Sequence, residues 1–125
     1  MTRRLKVLCV DDCPDIARST AYVLAMAGCD AQACYDGDSA LAIAAVFRPD
    51  VCVLDLGMRG MGGIELAGRL QDQAAHPLRL IALTGQWDID ASHRTHNAGF
   101  ERHLVKPADP DALIEAVTAG DLAAV

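Results

Sequence analysis

The sequence predicts an α/β domain in which helices cover both faces of a parallel sheet. Two observations carry that expectation. Short apolar runs such as LKVLCV and VCVLD suit strands buried on both faces. Segments of helical period separate these runs along all 125 residues, the pattern of repeated βα units.

The first strand is LKVLCV, from Leu5, and DDCP breaks it. Pro14 suits the first turn of a helix, along which Ile16, Val23, Leu24 and Ala27 recur near a helical period until Gly28 ends it. DAQACY reads as a second strand. Asp36 or Asp38 can cap the next helix, which runs through LAIAAVF to a break at Arg48 and Pro49. VCVLD is the third strand, and Gly63, Leu66, Ala67 and Leu70 share a face of the helix that follows. LRLIALT gives a fourth strand, a weakly patterned helix covers roughly residues 87–98, and RHLVK is the fifth strand. Asp109 and Pro110 then form a cap and first-turn pair, and Leu113, Ile114 and Val117 mark one face of a last helix.

Composition bounds the function. The chain is long enough for one domain, residues 1–125, with an aliphatic core: 52% of residues are apolar and only 4% aromatic. A net charge of −6 argues against tight contact with a phosphate backbone, so nucleic acid is not expected as a direct partner. The start lacks the apolar segment of a signal peptide, and no apolar run is long enough to span a membrane, so a cytoplasmic location is expected. The five cysteines form no CxxC pair and are expected to be reduced, with Cys9 and Cys52 acting as small hydrophobes.

In an open parallel sheet, ligands bind beyond the carboxyl ends of the strands. Those ends carry Asp11 and Asp12, Asp55, Thr84 and Lys106. Three carboxylates on one rim repel each other unless a hard divalent cation joins them. Mg²⁺ is the expected ion, with Mn²⁺ as an alternative, because both take oxygen ligands whereas zinc would favour cysteine and histidine. Lys106 supplies a point charge, and Thr84 a hydroxyl, for a phosphoryl oxygen. Gly57 and Gly85 leave backbone N–H groups open to an anion.

The ordered set VDD, LDLGMRGMGG, ALTG and VKPAD resembles the receiver domain of two-component response regulators, over essentially the whole chain. FRPD, GIELAGRL and GFERHLVKP resemble stand-alone and hybrid-histidine-kinase receivers. The resemblance implies a flavodoxin-like (βα)5 three-layer sandwich of strand order 2-1-3-4-5. It also implies a phosphoacceptor signalling role rather than an enzyme, with phosphoryl transfer from a histidine kinase or histidine phosphotransfer protein and onward action on a downstream protein or fused output domain. Under it, Asp55 is the phosphoacceptor. Asp12 is a direct metal ligand, Asp11 acts through water, and the Gly57 carbonyl is a backbone ligand. Thr84 and Lys106 bind phosphate, and Gly57 and Gln86 tune phosphoryl lifetime. The Lys106–Pro107 bond is expected to be cis, aiming the lysine inward.

Two positions depart from the family. Arg59 stands where receivers usually have proline, which predicts a more mobile loop with a solvated charge or one that meets an acidic partner. His103 stands at the switch position usually held by Tyr or Phe, where an imidazole could bring a pH response or simply an exposed neutral ring. His93 and His96 share a helix face and read as solvated. Two competing functions were a haloacid-dehalogenase-like phosphatase, which needs a DxD motif after the first strand, and a phosphorylation-independent interaction module.

Overall fold

A computed structural model describes residues 4–85 and 90–123. The elements alternate strictly: β1 (Lys6–Val10), α1 (Pro14–Met26), β2 (Asp30–Cys34), α2 (Gly37–Phe47), β3 (Val51–Asp55), α3 (Gly63–Gln73), β4 (Arg79–Thr84), α4 (Ala91–Asn97), β5 (Arg102–Val105) and α5 (Pro110–Ala123). The strands are parallel and lie in the order β2-β1-β3-β4-β5, as expected. The fourth helix is described only from Ala91; residues 87–89 and Gln86 lie outside the described residues.

Strand alternation divides the core in two. Leu8, Val10, Cys52, Leu54, Leu80 and Ala82 pack on the side of α2 and α3, whereas Val7, Cys9, Val51, Val53, Ile81 and Leu83 pack with Leu24 of α1 and Leu113, Ala116 and Val117 of α5. Between their polar ends the central strands are therefore apolar at every step, over residues 7–10, 51–54 and 80–83. At the edges, β2 and β5 are only partly buried, which explains the polar residues in DAQAC and RHLV.

Local chemistry sets the ends of the helices. Asp36, not Asp38, caps α2: its Oδ1 accepts from the Ser39 N–H at 2.8 Å. Asp109 Oδ2 accepts from the Ala112 N–H at 3.0 Å at the start of α5. Gly28, at φ +97, turns the chain out of α1, and Arg48, at φ 55, does the same after α2. The buried face of α1 matches the expected one only in part, with Leu24 buried and Val23 packed against the core as expected. It is formed by Ala17, Thr20 and Leu24, while Ile16 and Ala27 are exposed. Thr20 is compatible with burial because its hydroxyl donates to the Ile16 carbonyl at 2.8 Å. Cys9, Cys29, Cys34 and Cys52 are buried and Cys13 is exposed, and none of the five is in a disulfide among the described residues; burial pushes the Cys34 and Cys52 thiols up to about 12. Among the described residues, no helix is long and apolar enough to cross a membrane.

Candidate functional site

Sheet register brings the candidate residues together. Val10 pairs with Leu54, so Asp11 and Asp12, just past β1, reach the rim beside Asp55, the last residue of β3. Asp55 pairs with Leu83, one residue before Thr84, and Thr84 pairs with Val105, one residue before Lys106. Four adjacent strands thus deliver three acids, a hydroxyl and an ammonium to one edge.

Lys106 ties the acids together. Its Nζ lies 2.8 Å from Asp11 Oδ2 and 3.1 Å from Asp55 Oδ1. The Gly57 N–H also donates to Asp55 Oδ1, at 3.1 Å. Both contacts fall on one oxygen, and among the described residues Oδ2 of Asp55 takes no hydrogen bond or ion pair. Asp55 is 5% exposed and Asp11 2%. Burial raises the Asp55 pKa above its ordinary value; the Gly57 N–H and Lys106 oppose the rise, and the charge of Asp11 adds to it. Burial also works against the Lys106 ammonium, but its hydrogen bonds to Asp11 and Asp55 outweigh that and hold its pKa above the ordinary value.

Asp11 Oδ1 accepts from the Cys13 N–H at 3.0 Å, which orients that carboxylate. One ligand oxygen from each of Asp11, Asp12 and Asp55 lies within 4.8 Å of the others, and this carboxylate set fits a hard divalent cation. Thr84 is 1% exposed, and its hydroxyl has no hydrogen-bond partner among the described residues. Such a group calls for a ligand acceptor.

The loop after β3 contains a contact that the sequence reading missed. The Arg59 side chain is 93% exposed, as a solvated charge would be, yet Arg59 also touches the rim: its N–H donates to Asp12 Oδ2 at 3.2 Å, and its Nε lies 3.6 Å from the same oxygen. The glycine-rich loop also has anchors. Met58 is buried in the core and Met61 packs against it. Nothing in residue spacing announces an Arg59–Asp12 contact between two loops.

The family model for the response regulator receiver domain matches residues 7–118. The chain belongs to this family. As a receiver, it is similar to the DNA-binding response regulator MtrA of Mycolicibacterium smegmatis, at 32% identity over 94% of this chain and 51% of the relative. It is also similar to the transcriptional regulatory protein KdpE of Mycobacterium tuberculosis, at 32% identity over 86% of this chain and 47% of the relative. The chain spans about half the length of these curated relatives. Among solved structures, a putative response regulator from Chloroflexus aurantiacus superposes with a TM-score of 0.83 at 30% identity, covering 94% of this chain and 97% of that one. The chemotaxis protein CheY4 of Vibrio cholerae gives 0.84 at 28%, covering 94% and 98%. Receivers are signalling domains of two-component systems, and this chain shares their fold and strand order.

The other expected positions fall around this receiver rim. Gly57 and Gly85 are exposed, and a Cβ at Gly85 would meet nothing within 4 Å among the described residues. The Lys106–Pro107 bond is cis. His103 lies on β5 opposite Ala82 and is half-buried rather than exposed. His93 and His96 are exposed on α4, outside the carboxylate cluster.

Proposed function

We propose that this receiver accepts a phosphoryl group on Asp55. The carrying observation is the division of labour within that carboxylate: Lys106 and the Gly57 N–H hold Oδ1 while Oδ2 takes no contact among the described residues. Oδ2 is then the nucleophile. It bonds to phosphorus as the bond from phosphorus to a donor phosphohistidine nitrogen breaks, and the electron pair of that bond stays with the imidazole. The product is an acyl phosphate. Lys106 offsets charge on the phosphoryl oxygens, and the Thr84 hydroxyl donates to one of them. Drawing Thr84 toward that oxygen would shift β4 against β5 and bias the nearby surface between two states.

Asp11, Asp12, Asp55 and the Gly57 carbonyl would hold Mg²⁺ or Mn²⁺, which supplies further charge neutralisation when bound. Gly57, Gly85, His103 and Pro107 complete the assigned rim. The donor is a histidine kinase or histidine phosphotransfer protein, and residues 1–125 act as one receiver domain upstream of a protein partner or a fused output domain. The relatives named for DNA binding and transcription are about twice as long as the matched segment. The net charge of −6 supports leaving nucleic acid to another part of such proteins.

Intact-mass measurement after incubation with acetyl phosphate and Mg²⁺ tests the proposal. The wild type should gain one phosphoryl group and Asp55→Asn none. An equal gain in both would move the acceptor elsewhere, and turnover of small phosphate esters without a stable adduct would favour the phosphatase reading.

A further inference from the structure

Among the described residues, two cations serve the three rim acids. Lys106 faces Asp11 and Asp55, and Arg59 faces Asp12. The two cations differ in how firmly they are held. The Lys106 side chain is 22% exposed and bridges two buried carboxylates, whereas the Arg59 side chain is 93% exposed and, among the described residues, pairs only with Asp12, itself 28% exposed. The Arg59 backbone is better fixed than its side chain. Its N–H holds Asp12 Oδ2, and the flanking loop is seated by Met58 and Met61. The guanidinium can therefore leave Asp12 for water while the carboxylate stays in place.

We infer that Arg59 is a displaceable internal cation on Asp12, one that competes with the divalent ion for that carboxylate and sets how tightly this receiver binds it. The inference rests on the proposed role of Asp11, Asp12 and Asp55 as metal ligands. A metal-free pocket with three acids and Lys106 alone would carry two uncompensated negative charges, and Arg59 removes one of them. A divalent ion brings two positive charges to the same oxygens, so it and the guanidinium exclude one another by like-charge repulsion at Asp12. An exposed pair of this kind contributes little, and it can be replaced without rebuilding the site.

Calorimetric titration with MgCl₂, repeated with MnCl₂, tests the inference on wild type, Arg59→Gln, Arg59→Lys and Arg69→Gln. Arg69→Gln removes the same charge from α3, where Arg69 pairs with Glu65 at 2.7 Å. Arg59→Gln should bind both ions roughly 2- to 5-fold more tightly at low ionic strength, the span an exposed pair permits, and the gap should narrow at high ionic strength. Arg59→Lys and Arg69→Gln should stay near wild type. Equal or weaker binding by Arg59→Gln overturns the inference and leaves the metal site standing. Equal tightening by Arg69→Gln also overturns it, by assigning the effect to net charge. Absence of saturable binding in all four proteins overturns both the inference and the metal role.

Discussion

Gly63, the first residue of α3, lies against the backbone of Asp55: a Cβ at position 63 would come within 2.6 Å of the Asp55 carbonyl oxygen and 2.9 Å of the Leu56 Cα. Helix and strand end approach this closely only because no side chain intervenes, and no flexible group is available to yield. Gly63→Ala should cost about 1–3 kcal/mol or more. It should also lower phosphoryl uptake by moving the strand end that carries Asp55. Denaturant midpoints and intact-mass yields would check both effects, and unchanged midpoints would refute the close-approach argument.

Thr84 carries the opposite trade. Its buried hydroxyl finds no partner among the described residues, so Thr84→Val should leave the unmodified protein as stable as wild type or more stable by about 1 kcal/mol. The same variant should lose the surface change that follows phosphorylation. Urea denaturation and amide NMR shifts before and after acetyl phosphate would report the two effects separately.

Arg79 connects the base of the sheet to α5. It donates to both Glu101 carboxylate oxygens, at 3.0 and 2.8 Å, and to the carbonyls of Val117 and Ala116 at 2.8 and 3.0 Å. The hydrogen bonds from Arg79 hold the Glu101 pKa below its ordinary value of 4.5. A carboxylate pKa depressed on folding contributes stability above the unfolded value and loses it as pH falls through the folded one. The stability difference between wild type and Glu101→Gln should thus be constant near neutral pH and shrink below 4.5. Glu101 is partly exposed, so the plateau should be at most about 1 kcal/mol. A difference that grows on acidification would contradict this reading.

Gly57 and Gly85 leave the rim open. Among the described residues, a Cβ at Gly57 would meet Asp55 Oδ1 only at 3.8 Å, an ordinary contact, and one at Gly85 would meet nothing within 4 Å. Bulkier residues at the two positions should therefore fold normally and lengthen the life of the acyl phosphate by hindering the approach of water. Release of inorganic phosphate from the purified phosphoprotein measures this, and an unchanged rate in the double variant would sink the idea.

Much of this was legible in the residue order, because strand ends are marked by local chemistry. VCVLD closes on Asp55, and ALTG and VKP place Thr84 and Lys106 at corresponding ends of neighbouring strands. Caps such as Asp36 and Asp109 also depend on residues three positions away. The pairing of Arg59 with Asp12 was not legible, since it joins two loops far apart in sequence, one of them seated by Met58 and Met61. The α1 face was misread because Thr20 hides its polarity in a bond to its own helix, so a hydrophobicity pattern passes over it in favour of Ile16. The half-burial of His103 follows from its place on an edge strand, which composition does not reveal.

The bridge from Lys106 to Asp11 and Asp55 spans the end of β1, the end of β3 and the turn after β5. A chain in which β5 had not docked would hold Lys106 apart from both acids. Under the proposed function, competence to accept a phosphoryl group would then require the finished sheet, and a half-made copy would stay silent instead of reporting falsely.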